Sequence, residues 1–89
     1  MEDPVLKYRA FVKTAEKGSF TRAAEQLHYA QSSVSKMVAD LERDWGMQLL
    51  ERSKSGVRLT SAGEQMMPFL RKVLQEHRAL YGQICRMNG

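Results

Sequence analysis

Apolar residues fall at helical spacing in four stretches of this chain and at strand-like spacing in one. The most informative helical stretch runs over residues 30–46, where Val34, Val38, Leu41 and Trp45 stand at i, i+4, i+7 and i+11. That spacing lines one face of an α-helix. Ser32, Lys36, Ala39 and Arg43 fall on the opposite face, and no acid occurs from Gln26 through Ala39. A helix buried on one side, with a small, hydroxylic and basic leading end on the other, suits insertion into a DNA major groove.

The flanking patterns predict what holds this helix. Asp3-Pro4 reads as an N-cap and first helical position, and Tyr8, Phe11, Val12 and Ala15 then form a stripe that Gly18 ends. A second helix, capped by Ser19 or Thr21, carries Phe20, Ala23, Ala24 and Leu27, its alanines small enough for close helix approach. After the break His28-Tyr29-Ala30 comes the helix described above, so the pair spells helix-turn-helix. An ordinary helical hairpin buried in a core is the plainer alternative. Gly46 closes the third helix, and Trp45 reads as a core plug.

The period then shortens. Leu49-Leu50-Glu51-Arg52 and Val57-Arg58-Leu59-Thr60 predict two strands around the loop Ser53-Lys54-Ser55-Gly56, a hairpin that would form a basic wing. A final helix starts at Thr60 or Ser61, with Ser61 and Glu64 spaced as a capping box. On it Met66, Leu70, Val73, His77, Leu80, Ile84 and Met87 alternate four and three apart. Leu74 and Tyr81, with Met67, widen this seam on one flank. The seam is too long for a three-helix core alone to cover and predicts a dimer interface, in which His77 is the polar residue that fixes register. Pro68 predicts a kink or loosened first turns.

Composition narrows the function. The chain has 89 residues, a formal charge of +4 and one cysteine, Cys85, so an internal disulfide is excluded. Size predicts a single domain, and the basic balance favours a polyanion. Arg52, Lys54 and Arg58 lie in an acid-free run from Arg52 to Gly63. No apolar run approaches the roughly 18 residues of a membrane span and no signal-peptide core is present, so a cytoplasmic location without membrane contact is expected. The two histidines, His28 and His77, lie apart in the pattern, and no phosphate loop, metal-ligand cluster or nucleophile–base arrangement occurs, so neither an enzyme nor a cofactor or metal site is expected.

In order and spacing the motifs resemble the N-terminal region of LysR-type transcriptional regulators. The resemblance rests on Phe11-Val12, Ala15-Glu16-Lys17-Gly18-Ser19-Phe20-Thr21-Arg22-Ala23-Ala24-Glu25, Leu27-His28 and Gln31-Ser-Ser-Val-Ser-Lys36. It continues through Leu41-Glu42, Gly46, Leu49, Glu51-Arg52, Val57-Arg58-Leu59-Thr60 and Ala62-Gly63-Glu64. It implies a mainly α winged helix-turn-helix over 1–60, with a three-helix core and two-stranded wing, and a long dimerisation helix over 61–89. It further implies a regulator that binds an inverted repeat in double-stranded DNA as a homodimer, with tetramers in a full-length protein. A C-terminal domain that binds a small-molecule inducer follows in such proteins and is absent from this chain, which reads as a DNA-binding fragment. The chain departs from the family in having Ala30 where serine is frequent, Ser32 in place of a frequent proline, and Trp45 and Leu50 where leucine and phenylalanine are commoner. Alanine caps poorly, so either Ser32 takes over the cap or the first turn frays until DNA orders it.

On this reading Gln31, Ser32, Ser33 and Lys36 contact base edges. Thr21, Arg22, Ser35, Arg52, Lys54 and Ser55 contact phosphates. Arg43 is peripheral or paired with an acid. A winged helix that recruits proteins without specific DNA binding is the alternative from another class, and a different DNA-binding winged-helix family is a smaller one.

Overall fold

A computed structural model describes residues 4–89. The elements follow in the order α1 (Pro4–Lys17), α2 (Phe20–Leu27), α3 (Gln31–Trp45), β1 (Leu50–Ser53), β2 (Gly56–Leu59) and α4 (Ser61–Asn88). This is a mainly helical winged helix-turn-helix. The expected Asp3 cap lies outside the described residues. No helix among the described residues is long and apolar enough to cross a membrane.

The core is built around α1, which packs against α2, α3, α4 and β2. Ala10 and Phe11 are fully buried, with Val12 beside them. Thr14 is buried as well, because its hydroxyl donates to the Ala10 carbonyl at 2.7 Å and so carries no unmet polarity inside. The predicted α1 stripe was therefore too narrow: the helix is contacted on several sides. Ala23 and Ala24 of α2 and Val34, Val38 and Leu41 of α3 complete this centre. Trp45 packs at its edge, half-buried, with its ring 5.8 Å from that of Tyr8.

Between α3 and the wing the chain is pinned at Leu49, whose side chain is fully buried. The Glu42 carboxylate accepts from the Leu49 and Leu50 amides at 2.7 and 3.1 Å. The Leu49 carbonyl in turn accepts from the Thr60 amide at 3.0 Å. The strands pair antiparallel in the register Leu50↔Leu59 to Ser53↔Gly56, one residue later in β1 and one earlier in β2 than the pattern predicted. The cause is a two-residue loop, Lys54-Ser55, followed by Gly56 at φ 125°, a backbone angle that favours glycine. A β-carbon there would also stand 2.7 Å from the Gly18 carbonyl oxygen, which accepts from the Val57 amide at 3.0 Å. The loop-side end of β2 is thus seated on the α1–α2 junction.

Thr60, not Ser61, caps α4: its hydroxyl accepts from the Gly63 amide at 3.0 Å and donates to the Gln48 carbonyl at 2.6 Å. The expected Ser61–Glu64 capping box is displaced by that double use of Thr60. Helix α4 runs unbroken through Pro68, so the expected loosening of its first turns does not occur. Its first half docks on the core through Met67, Leu70 and Leu74. One core therefore spans both sides of residue 60. Leu70 and Leu74, assigned from sequence to a dimer seam, are already covered within the chain.

Gly63 is where α4 crosses Leu49, and a β-carbon on it would collide with the Leu49 carbonyl. Gly63→Ala is expected to lower unfolding stability by about 1–3 kcal/mol in urea titrations. Gly82→Ala, on the same helix with no crowding atom nearer than 3.9 Å, is expected to raise it by about 0.5–1 kcal/mol. Equal effects at the two positions would refute the packing argument.

Candidate nucleic-acid interface

The leading end of α3 is set by the turn before it. Ser19 caps α2 through the Arg22 amide at 3.2 Å, and α2 ends at His28, which takes a left-handed conformation at φ 62°. The His28 and Tyr29 amides close that turn on the Glu25 and Ala24 carbonyls. Ala30 then enters α3 in an extended conformation with no side-chain cap. Ser32 does not replace the missing cap; the first turn is formed on the Ala30 carbonyl, which accepts from the Ser33 and Val34 amides. The Gln31 and Ser32 amides, ahead of the first intrahelical bonds, carry the positive end of the helix dipole.

Gln31, Ser32, Ser33 and Lys36 are all exposed on this end. Thr21 and Arg22 are exposed at the start of α2, and the Thr21 hydroxyl donates to Gln31 Oε1 at 3.3 Å. From the wing, Arg52 Nη2 donates to Ser35 Oγ at 2.6 Å, and its guanidinium carbon lies 4.3 Å from the Phe20 ring centroid. Contacts therefore run from β1 through α2 to the tip of α3, and three separate elements converge on one polar, acid-poor surface. Lys54 and Ser55 stand at the wing tip, both exposed. Ser53 Oγ lies 3.0 Å from Ser55 Oγ and donates to the Gly56 carbonyl at 3.2 Å, stiffening the turn.

Residues 6–64 match the family described as bacterial regulatory helix-turn-helix protein, lysR family. The chain belongs to the lysR family. The GalR transcriptional regulator of Pseudomonas putida is 43% identical to this lysR-family chain over 72 residues, 81% of this chain and 18% of that protein. Among solved structures, OxyR of Corynebacterium glutamicum (C206S mutant, H2O2-bound) superimposes with a TM-score of 0.92 at 34% identity, over all of this chain and 29% of that one. BenM_DBD in complex with benA site 1 DNA superimposes with a TM-score of 0.84 at 33% identity, over 98% of this chain and 99% of that one. The lysR-family chain thus spans less than a third of the GalR and OxyR proteins that it matches. Its named relatives are transcriptional regulators, not enzymes.

The charge on this surface is less free than the sequence implied. Arg58 pairs with Glu51 across the hairpin at 3.2 Å, so it adds little to the wing's field. Lys54 keeps no acid partner among the described residues. Asp40, which the pattern did not single out, accepts from Arg43 at 2.7 Å and lies 3.5 Å from Lys36 Nζ. Its side chain is 7% exposed, while Lys36 and Arg43 are each 73% exposed. Burial works to raise the Asp40 carboxyl, but the Lys36 charge and the Arg43 hydrogen bond outweigh it and hold the group below its ordinary value. Arg43 is thus the paired residue that one of the two expectations required. A Lys36–Asp40–Arg43 spacing of four and three residues is helical, so this cluster was readable in the sequence. What the sequence did not reveal was the burial of the acid.

Because Asp40 titrates below its ordinary 3.8 when folded, its contacts stabilise the fold at neutral pH and are lost as pH falls below that value. Asp40→Asn is expected to be less stable than the native chain near pH 7, with the gap closing in urea titrations carried down towards about pH 2. A gap that stays constant over that range would remove the carboxylate from the account.

Proposed function

We propose that this chain is the DNA-binding part of a transcription regulator and that it reads an inverted repeat as a homodimer. The observation that carries the reading is the convergence of the exposed α3 tip, the α2 start and the basic wing on one surface. The likeness to BenM_DBD, solved with DNA, supports it. In this reading α3 enters the major groove. Gln31 pairs with adenine and Lys36 donates to guanine N7 or O6, and Ser32 and Ser33 complete the base contacts. Thr21 and Arg22 at the α2 start, with Lys54 and Ser55 at the wing tip, hold phosphates and fix the register.

Dimerisation rests on the outer face of α4. Phe69 and Val73 in its first half and Leu80, Tyr81, Ile84 and Met87 in its second are exposed, from 41% at Ile84 to 77% at Met87, so several turns carry apolar surface that the chain does not cover. A stripe of that length on a soluble helix marks a helix-pairing surface. His77 lies within it, its ring 4.7 Å from that of Tyr81. Met66, partly buried against the core, borders it. Leu70 and Leu74 support α4 from beneath.

Two measurements test these assignments. Selection of bound sequences from a random duplex library is expected to return paired half-sites. Against the selected duplex, Lys36→Ala is expected to cost about 1–3 kcal/mol and to relax base choice. If the dimer neutralises about six to ten phosphates, native affinity falls about 10³–10⁵-fold between 50 and 200 mM salt. A chain that ignores duplex DNA in dilute buffer would instead be a protein-recruiting winged helix.

For the interface, Leu80→Glu is expected to give a folded monomer in sedimentation, with native helix content and an unfolding midpoint that no longer depends on protein concentration. Leu74→Glu, which buries a charge in the core, is expected to lose about 3 kcal/mol or more of stability. A Leu80→Glu chain that remains dimeric would move the interface elsewhere.

A further inference from the structure

We propose that Arg52 is a positioning residue that sets the wing against the reading end of α3 and so governs which sequences are bound, in place of the phosphate contact that its charge suggests. The inference rests on the DNA-binding reading above and concerns how that surface is kept in shape.

The guanidinium is committed twice. Its edge donates to Ser35 Oγ at 2.6 Å, and its carbon lies 4.3 Å from the Phe20 ring centroid. An arginine can use edge and face together because the group is planar; a lysine ammonium cannot reproduce that geometry. Each partner matters by its place. Phe20 is a buried anchor at the start of α2, next to Thr21, whose hydroxyl reaches Gln31. Ser35 directly precedes Lys36. Arg52 therefore grips the two helices that present the base-reading end.

The wing does not pack flush against α3. A cleft of about 340 Å³ opens between β1 and the side of α3, bordered by Ser35, Val38, Ala39, Leu50 and Arg52. The remaining ties are Glu42 on the Leu49 and Leu50 amides at the hairpin root, and the Val57 amide, opposite Arg52 in the register, on the Gly18 carbonyl. Ser35 and Glu42 are seven residues apart on α3, two turns or about 10 Å on one face. The Val57 tie holds β2 to the α1–α2 junction and leaves the α3-facing side of β1 over the cleft without one. Arg52 joins β1 to α3 two turns closer to the base-reading end than Glu42 does, and so sets where Lys54 and Ser55 meet the duplex.

Salt dependence and sequence preference separate this role from phosphate binding. A lost phosphate contact weakens every duplex alike and lowers the slope of log affinity against log salt by about 0.9. A lost tie leaves the slope unchanged and weakens mainly the preferred sequence, whose recognition needs α3 and wing in register. Ser35→Ala cuts the tie without altering charge, and Arg52→Lys keeps the charge without the tie.

The experiment measures affinity across a salt series for the native chain, Arg52→Lys, Ser35→Ala and the double variant, on the library-selected duplex and on a scrambled one. Circular dichroism and the unfolding midpoint monitor the fold. Each single variant is expected to lose about tenfold on the selected duplex and less than about twofold on the scrambled one, with native salt slopes. The double variant is expected to be no weaker than the weaker single variant, since both remove the same contact. Native affinity in Arg52→Lys, equal losses on both duplexes, a reduced slope or additive losses would each overturn the proposal. A native chain that prefers no duplex would overturn the DNA reading itself, a distinct result.

Discussion

Leu49 is the point on which the whole arrangement depends. Its side chain is sealed in the core, its amide is held by the Glu42 carboxylate, and its carbonyl is shared between the Thr60 amide and the close approach of Gly63. The end of α3, the root of the wing and the start of α4 are thereby fixed to one peptide unit. A charged acceptor bonding two backbone amides is stronger than a neutral one, and here it takes the place of strand pairing where the chain changes period. Without it α3, the wing and α4 would be three elements joined by turns.

The same economy governs charge. A DNA-binding surface needs cations, yet cations crowded without acids repel one another and splay. The chain answers by pairing selectively. Arg58 is balanced by Glu51 in the wing and Arg43 by Asp40 on α3, and Arg52 is spent on an aromatic ring and a hydroxyl. Lys36 shares the buried Asp40 from a distance of 3.5 Å and stays largely exposed. Cations held in this way are preorganised for a partner and lose less freedom on binding than mobile side chains would.

Helix α4 serves two surfaces at once. Met67, Leu70 and Leu74 face its own core, while Phe69, Val73, Leu80 and Ile84 face outward a fraction of a turn away. The offset couples the fold to the proposed pairing: whatever grips the outer stripe is rigidly connected, through Leu70 and Leu74, to α1 and so to the reading end of α3. In the proposed dimer, the spacing of the two reading ends is then a property of helix geometry and not of a flexible linker.

The helices, the helix-turn-helix, the hairpin wing and the long last helix were legible from the chain because each is written in local periodicity and turn chemistry. The exposure of Gln31, Ser32, Ser33 and Lys36 was legible for the same reason: they lie opposite a regular apolar stripe. Partnerships between distant residues were not. Nothing local tells that Arg52 reaches Ser35 and Phe20, that Glu42 bonds amides seven and eight residues on, or that Gly63 must be small because Leu49 passes beneath it. Nor can spacing alone divide a broad apolar face, so Leu70 and Leu74 looked like interface residues until α1 was seen to cover them. Periodicity reports which way a side chain points from its own element; what it meets there depends on how the elements are docked, and that is fixed only when the whole core closes.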